Sequence, residues 1–235
     1  MKLFERVQVC NDFRPRSAPM NMAIDEALLE HATAPSIRFY QWHSPALSFG
    51  YFGKFADVAS YAGERDLVRR WTGGGIVFHG DDLTYSIVIP VSDAAFGESS
   101  ISIYEKIHRA LCYALAETEQ HAVVAGVGDP GPRSASAKRA GITDASYSDC
   151  FANPVRADVM IHGRKVAGAA QRRTRAGLLQ QGSIQGVDLG NGLAQRFAKA
   201  LSANCSEWNI NEGILNRARE LAQRKYGADS WLRKR

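Results

Sequence analysis

Arg69-Arg70-Trp71-Thr72-Gly73-Gly74-Gly75-Ile76-Val77-Phe78-His79 is the stretch on which the reading of this chain turns. Three consecutive glycines stand between two apolar runs, Leu67 to Trp71 and Ile76 to His79, which describes a strand, a tight turn and a second strand. Glycine tolerates unusual backbone angles and, lacking a side chain, lets the main chain approach a ligand with its N–H groups. The paired arginines before the turn have the geometry to hold a phosphate or a carboxylate. The stretch fits no standard phosphate loop, since neither GxxxxGK[ST] nor GxGxxG occurs. A Gly-rich β-turn with exposed arginines is an equally weighted alternative on composition alone.

Outward from this turn the pattern stays strand-rich. Ile37 to Trp42 and Ala46 to Gly50 read as strands punctuated by His43-Ser44-Pro45, Asp57 to Arg65 as a short helix, and Leu83 to Pro90 as a strong apolar strand. Upstream, Pro19 opens a helix whose stripe is Met20, Ala23, Ile24, Ala27, Leu28 and His31, with Asp25, Glu26 and Glu30 facing away. Downstream, Ser102 to Glu119 is a helix with Ile103, Ile107, Leu111 and Leu115 at successive i,i+4 positions. His121 to Val127 reads as a strand, and 128–148 as a long Gly-, Pro- and Ser-rich loop of the kind that is functional or disordered. Ala157 to His162 and Lys165 to Arg173 form a hairpin about Gly163-Arg164, continued by Leu178 to Gln185; helices follow at about 192–202 and 209–226. The order helix, strands, helix, strands, helices predicts an α+β domain rather than an alternating parallel sheet.

The chain has 235 residues, 45% hydrophobic and 23% charged, with 21 Gly and 8 Pro. These values exclude disorder, collagen-like repetition and coiled coil as descriptions of the whole, and no internal repeat is visible. The length suits one domain that needs no disulfide or metal to fold. No apolar run approaches the ~18 residues that span a bilayer, and the N-terminus carries Glu5 and Arg6 where a signal peptide is apolar. The expectation is therefore a cytoplasmic protein without a membrane role. The net charge of +5 lies wholly in 217–235, with seven cations against two anions. A nucleic-acid domain spreads its cations over a face, so a solvated helix with a loose basic end is favoured, and a docking patch for an acidic protein is the functional alternative.

Cys10, Cys112, Cys150 and Cys205 show neither CxxC spacing nor paired histidines, which argues against a metal site or a disulfide framework. Cys112 falls in the apolar helix, and Cys10 and Cys205 lack a basic context. Cys150, in Ser148-Asp149-Cys150-Phe151-Ala152-Asn153-Pro154, ends the long polar loop at a strand entrance, which tilts it towards reactivity. Lys165 is followed by the small apolar run Val166 to Ala170, so its strand runs into the interior or past a ligand. A partly desolvated lysine there can polarise a carbonyl or stabilise a thiolate.

Taken in order, RRWTGGGIVFH (69–79), DVMIHGRKVAGAAQRR (158–173) and LLQQGSI (178–184) resemble the lipoate–protein ligase A and octanoyltransferase family, and NMAIDEALL (21–29) is similar to its first helix. The likeness runs from about residue 15 to 190. It implies an α+β catalytic domain, with a mixed or antiparallel sheet flanked by helices, related to biotin protein ligases. The whole of 1–235 is expected to be that one domain, with a basic C-terminal helix and tail at about 209–235 and no accessory domain. The resemblance further implies that Arg70, Gly73, Gly74, Gly75, Ile76, Val77, Phe78 and His79 line the acyl pocket with Gly168 and Ala169, and that Lys165 is the family's essential lysine. One departure is Gly80, which stands before Asp81 where ligases read His-Asp.

Cys150 separates the branches of that family. ATP-dependent ligases need no nucleophilic cysteine, whereas one branch of octanoyltransferases carries a catalytic cysteine before the lysine strand. Cys150-Phe151, Pro154, Gly163-Arg164-Lys165 and Thr84-Tyr85-Ser86 resemble that branch. The expected activity is transfer of an octanoyl group from acyl carrier protein, through a Cys150 thioester, to a lysine of a glycine cleavage H protein or a dehydrogenase E2 lipoyl domain. Catalysis is assigned to Cys150 and Lys165, with no cofactor and no metal. The alternatives are an ATP- and Mg-dependent lipoate–protein ligase on the same fold, and a non-enzymatic basic protein that binds a carrier or nucleic acid.

Overall fold

A computed structural model of the protein describes residues 2–116, 121–126 and 155–234. The chain runs β1 (Arg6–Arg16), α1 (Ala18–His31), β2 (Ser36–Trp42), β3 (Ala46–Phe49), β4 (Asp66–Arg69), β5 (Val77–His79), β6 (Leu83–Pro90), α2 (Ser100–Ala116), β7 (Ala122–Val124), β8 (Val159–Ile161), β9 (Arg164–Arg173), β10 (Gly177–Ile184), α3 (Leu193–Leu201), β11 (Asn204–Glu207), α4 (Glu212–Leu221) and α5 (Asp229–Leu232). It is an α+β fold. Eight strands form a mixed sheet in the order β11-β1-β2-β6-β10-β9-β8-β7, and β4-β3-β5 form a separate small sheet. The parallel pairs of the large sheet are β1 with β11 and β1 with β2, and its other neighbours are antiparallel.

The two-residue period of a strand decides which core each side chain joins. Along β6, Leu83, Tyr85, Ile87 and Ile89 meet Ile103, Ile107 and Leu111 of α2 and Phe197 of α3 in one core, while Val88 joins α1 and α4 on the other face. All eight residues of β6 are buried, which is why it reads as a continuous apolar run. Fully burying one such side chain stabilises by ~1.5–3 kcal/mol before entropy is counted. The small sheet has its own core of Leu47, Phe49, Val58 and Ile76.

Several expectations need correcting. In place of a helix over 57–65 there are two single 3₁₀ turns, Phe55–Asp57 and Ala59–Tyr61, since the segment offers no apolar stripe long enough to hold a helix against a core. Asp25 and Glu26 do not face away from α1's buried stripe; both are buried. Asp25 accepts from Arg38 and Ser86 at Oδ1 and from Tyr40 and Gln181 at Oδ2, so a position that looked solvated is satisfied internally. The basic end is not loose either: Arg217 pairs with Glu30, Arg219 with Glu212, Lys225 with Glu26 and Arg233 with Asp229. β1, β11 and α5 carry no apolar pattern that announces them. The 128–148 loop and Cys150 lie outside the described residues. Among the described residues, no helix is long and apolar enough to cross a membrane.

Candidate active site

The Gly-rich turn and the lysine hairpin, far apart in sequence, face each other across one pocket. Its floor is Met22 of α1 with Tyr40 and Trp42 of β2, one wall comes from β9 and β10, and the other is Arg70, Gly74, Val77 and His79 with Ser48.

Lys165 begins the β9 wall. Its Nζ lies 2.8 Å from Asp158 Oδ2, and both side chains are buried. Asp158 is fixed in turn: Tyr104 OH donates to Oδ1 at 2.7 Å and the Val155 amide to Oδ2 at 2.7 Å, while Tyr104 OH accepts from the Ala169 amide. Burial and the neighbouring Asp158 charge push the Tyr104 phenol far above its ordinary range, so it acts as a neutral donor. Gly168 is what lets the lysine lie here: a Cβ on it would sit 2.5 Å from Lys165 Cε and 2.7 Å from Nζ. The aliphatic part of Lys165 therefore crosses β9 where no side chain stands.

The opposite wall is organised by Arg70. Its Nη1 donates to Ser48 Oγ at 2.6 Å and its Nη2 to the carbonyls of Gly73 (3.1 Å) and Gly75 (2.7 Å), stapling the turn to β3. Gly74 turns at φ +84°, a left-handed conformation that favours glycine. Beyond Arg70 the chain of bonds continues. Ser48 Oγ is 2.7 Å from His79 Nε2, and His79 Nδ1 is 2.8 Å from Asp82 Oδ2, which also accepts from Thr84 and Ser183. Burial lowers the His79 pKa against the pull of Asp82. Burial opposes ionisation of Asp82, but His79, Ser183 and Thr84 outweigh it and hold its pKa below the ordinary carboxylate value. The neutral ring thus donates from Nδ1 to Asp82 and accepts at Nε2 from Ser48. Trp42 stacks on it with centroids 4.0 Å apart and donates its indole N–H to Thr84.

Of the residues singled out from sequence, Arg70, Gly74, Val77, His79, Lys165, Gly168 and Ala169 line this pocket. Ile76 and Phe78 pack on the core of the small sheet instead, because successive residues along β5 and the residue just before it face opposite sides. Gly73 and Gly75 contribute carbonyls to the Arg70 staple rather than lining. Cys10 and Cys112 are raised by burial to about 11 and about 12, unsuited to a thiolate near neutral pH. Sequence reasoning missed Asp158, Tyr104, Ser48, Asp82 and Gln181. Asp158 had a signal, being the lone carboxylate of the 157–173 hairpin; Ser48 and Tyr104 had none, since serine in a strand and tyrosine on a helix are common. Gln181 accepts from Thr72 Oγ1 while donating to Asp25, tying α1 to the Gly-rich turn.

Among the described residues no group of three or more His, Cys, Asp or Glu side chains is placed to hold a metal ion. The fold is that of lipoate-handling enzymes. Lipoate-protein ligase A bound with ATP superposes with a TM-score of 0.71 at 20% identity, covering 97% of this chain and 98% of that one. A structure from the archaeal lipoylation system of Thermoplasma acidophilum, a bi-partite lipoate protein ligase and its E2 lipoyl domain, gives 0.64 at 21% identity over 97% and 95%. The sequence goes further. The lipoyl protein ligase A/B catalytic domain model matches residues 17–211, and the chain belongs to that family. Octanoyltransferase LipM of Symbiobacterium thermophilum is 32% identical over 92% of this chain and 94% of its own length. Octanoyltransferase LipM of Oceanobacillus iheyensis is 36% identical over 72% of this chain, which spans 60% of that relative.

Proposed function

We propose that this protein is an octanoyltransferase of lipoate biosynthesis that moves an octanoyl group from acyl carrier protein to a lysine of a lipoyl-accepting domain, either a glycine cleavage H protein or a dehydrogenase E2 lipoyl domain. The likeness to octanoyltransferases over nearly the full length of one relative supports the activity. The observation that carries the chemistry is the buried Lys165–Asp158 pair on the pocket wall opposite the Gly-rich turn.

In the first step the Cys150 thiolate attacks the thioester carbonyl. A bond forms from sulfur to carbon, the bond to the carrier sulfur breaks, and the carrier leaves as its thiol after taking up a proton. In the second step the acceptor's lysine amine attacks the Cys150 thioester, the amide forms, and the cysteine thiol is released. An amide is more stable than a thioester, so transfer runs downhill without ATP and without a metal ion. Lys165, held by Asp158, supplies positive charge where the carbonyl oxygen becomes negative, and favours the thiolate. The apolar faces of Met22, Trp42 and Val77 suit a saturated chain, which hydrophobic burial holds without charged partners.

The test is intact-mass spectrometry after mixing with octanoyl-carrier protein in the absence of ATP and Mg²⁺. The protein should gain one octanoyl group, lost on adding acceptor domain, and Cys150→Ser should gain none, because a hydroxyl is a far poorer nucleophile at neutral pH. Transfer that requires ATP, or a serine variant working at the normal rate, would overturn this reading in favour of an adenylating ligase.

A further inference from the structure

Arg69 and Arg70 are sequence neighbours that serve opposite sides of β4. Arg70 turns to the pocket, while Arg69 is buried, its guanidinium over the Phe49 ring. Arg69 gathers backbone carbonyls from two separate segments. Nε donates to Trp231 O (2.9 Å) and Nη2 to Leu232 O (2.9 Å) and Lys234 O (2.8 Å), at the C-terminal end of α5. Nη1 donates to Tyr51 O (2.9 Å) and Gly53 O (2.6 Å), in the loop that follows β3. The Trp231 indole N–H returns a bond to Arg69 O at 3.0 Å, and Leu232 packs against the small sheet's core.

The loop so held lies directly on the Gly-rich turn. A Cβ on Gly50 would fall 2.0 Å from Gly74 O and 2.7 Å from Gly73 C, so the two backbones touch with no room for a side chain. The Tyr51 amide donates to Thr72 O and the Arg70 amide to Phe49 O. A continuous path therefore runs from α5 through Arg69 to 50–53, and on to the turn that Arg70 staples beside the pocket.

We propose that the C-terminal segment Asp229–Lys234 is a positioning element of the acyl pocket, acting through Arg69 on the Gly73–Gly75 wall. It works through main-chain carbonyls and the Trp231 indole, and Lys234 adds a side-chain tie to the same loop by donating to Tyr51 OH. A buried guanidinium deprived of these acceptors must find others, and the 50–53 loop loses its tie to the C-terminal segment.

The experiment is amide hydrogen exchange on the full chain carrying Arg69→Lys, which keeps a charge and loses the fork. Exchange at Tyr51, Gly53 and Arg70 should rise about tenfold or more, while Ile87 in β6 and Gly182 in β10 keep their protection. With octanoyl-carrier protein, kcat should fall and the KM for acceptor domain should stay. Arg224→Ala, an exposed cation before this segment, should change neither. If Arg69→Lys does not fold, Trp231→Phe, which removes one donor and keeps the ring, should give the same pattern at smaller amplitude. Unchanged exchange at the three amides, or a rise that spreads equally into β6 and β10, would overturn the proposal. The activity readout rests on the octanoyltransferase reading; the exchange readout does not, so the exchange pattern in a protein without transferase activity would sink that reading alone.

Discussion

The β9–β10 wall of the pocket belongs to an eight-stranded sheet whose far face packs on α2 and α3, whereas the Gly-rich wall belongs to three short strands around four buried apolar side chains. The large sheet holds its reactive group in a hydrophobic setting: Lys165 and Asp158 are buried beside a core, and the half-buried Tyr104 and the Val155 amide complete the bonding. The small sheet is held by donors and acceptors: Arg69 on carbonyls, Arg70 on Ser48 and the turn, His79 between Ser48 and Asp82. One pocket thus has a wall backed by apolar packing and a wall placed by hydrogen-bond geometry. Changes to the first should register in stability as well as activity, and changes to the second mainly as activity.

The sharpest test of the packed wall is Lys165→Ala. It leaves Asp158 buried without its ion-pair partner, which costs about 3–5 kcal/mol in comparable pairs. A urea titration should show that loss, together with a fall in kcat of about 10²–10³-fold. A stability change under ~1 kcal/mol would mean that Asp158 is satisfied without the lysine, and the contrast between the walls would fail.

Acid should weaken the packed wall next. His108 of α2 is buried facing the sheet, its Nδ1 bonded to the Ala157 carbonyl and its Nε2 to Tyr85 OH, and burial lowers its pKa to about 4. The unfolded chain takes up this proton near pH 6.5 and the folded chain does not. The stability tied to neutral His108 is therefore present above pH 6.5 and drains away as pH falls to about 4, in all about 3 kcal/mol. Urea midpoints from pH 7 to pH 4 measure it, and His108→Gln should flatten the slope. An equally steep profile in that variant would assign the acid sensitivity elsewhere, with His79, also lowered by burial, the next group to replace.

On the hydrogen-bonded wall, Arg70→Lys exchanges a fork for a point charge and cannot reach Ser48, Gly73 and Gly75 together. We expect about a tenfold loss of kcat, the equivalent of ~1.4 kcal/mol, with thermal melting moved only slightly. A large drop in melting temperature with normal turnover would reverse the assignment of the two walls.

The smallest effect is expected at the C-terminal cations. Arg233 is an exposed partner of Asp229, and such pairs contribute ~0.2–1 kcal/mol. Reversing Arg224 and Arg233 should leave the KM for octanoyl-carrier protein within about twofold at moderate salt. A strong, salt-dependent rise in KM would show that these side chains steer an acidic carrier as well as ending a structural segment.

The α+β class, α1, α2, the strands β2, β6, β9 and β10 and the family motifs were all legible in the sequence, because each rests on a local period or an ordered set of residues. β1 escaped notice because it ends in polar and charged residues, of which Asp12 is buried against Arg16 and against Arg38 of β2, and β11 because all four of its residues are exposed. The inward turn of Asp25 was equally hidden, since a carboxylate beside an apolar stripe looks solvated until Arg38, Tyr40, Ser86 and Gln181 converge on it from β2, β6 and β10.

The chemistry-bearing residue types are a local matter: the Gly-rich turn, the arginine pair and Lys165 are read from neighbours a few positions apart. What those groups do to one another depends on how the layers pack. Asp158 became the partner of Lys165, Ser48 and Asp82 the partners of His79, and the C-terminal segment the acceptor of Arg69, 162 positions away in the case of Trp231. The physical reason is range. Turn formation and helical periodicity act over a few residues along the chain, while burying a charge demands whatever donor or acceptor the packed layers bring within about 3 Å.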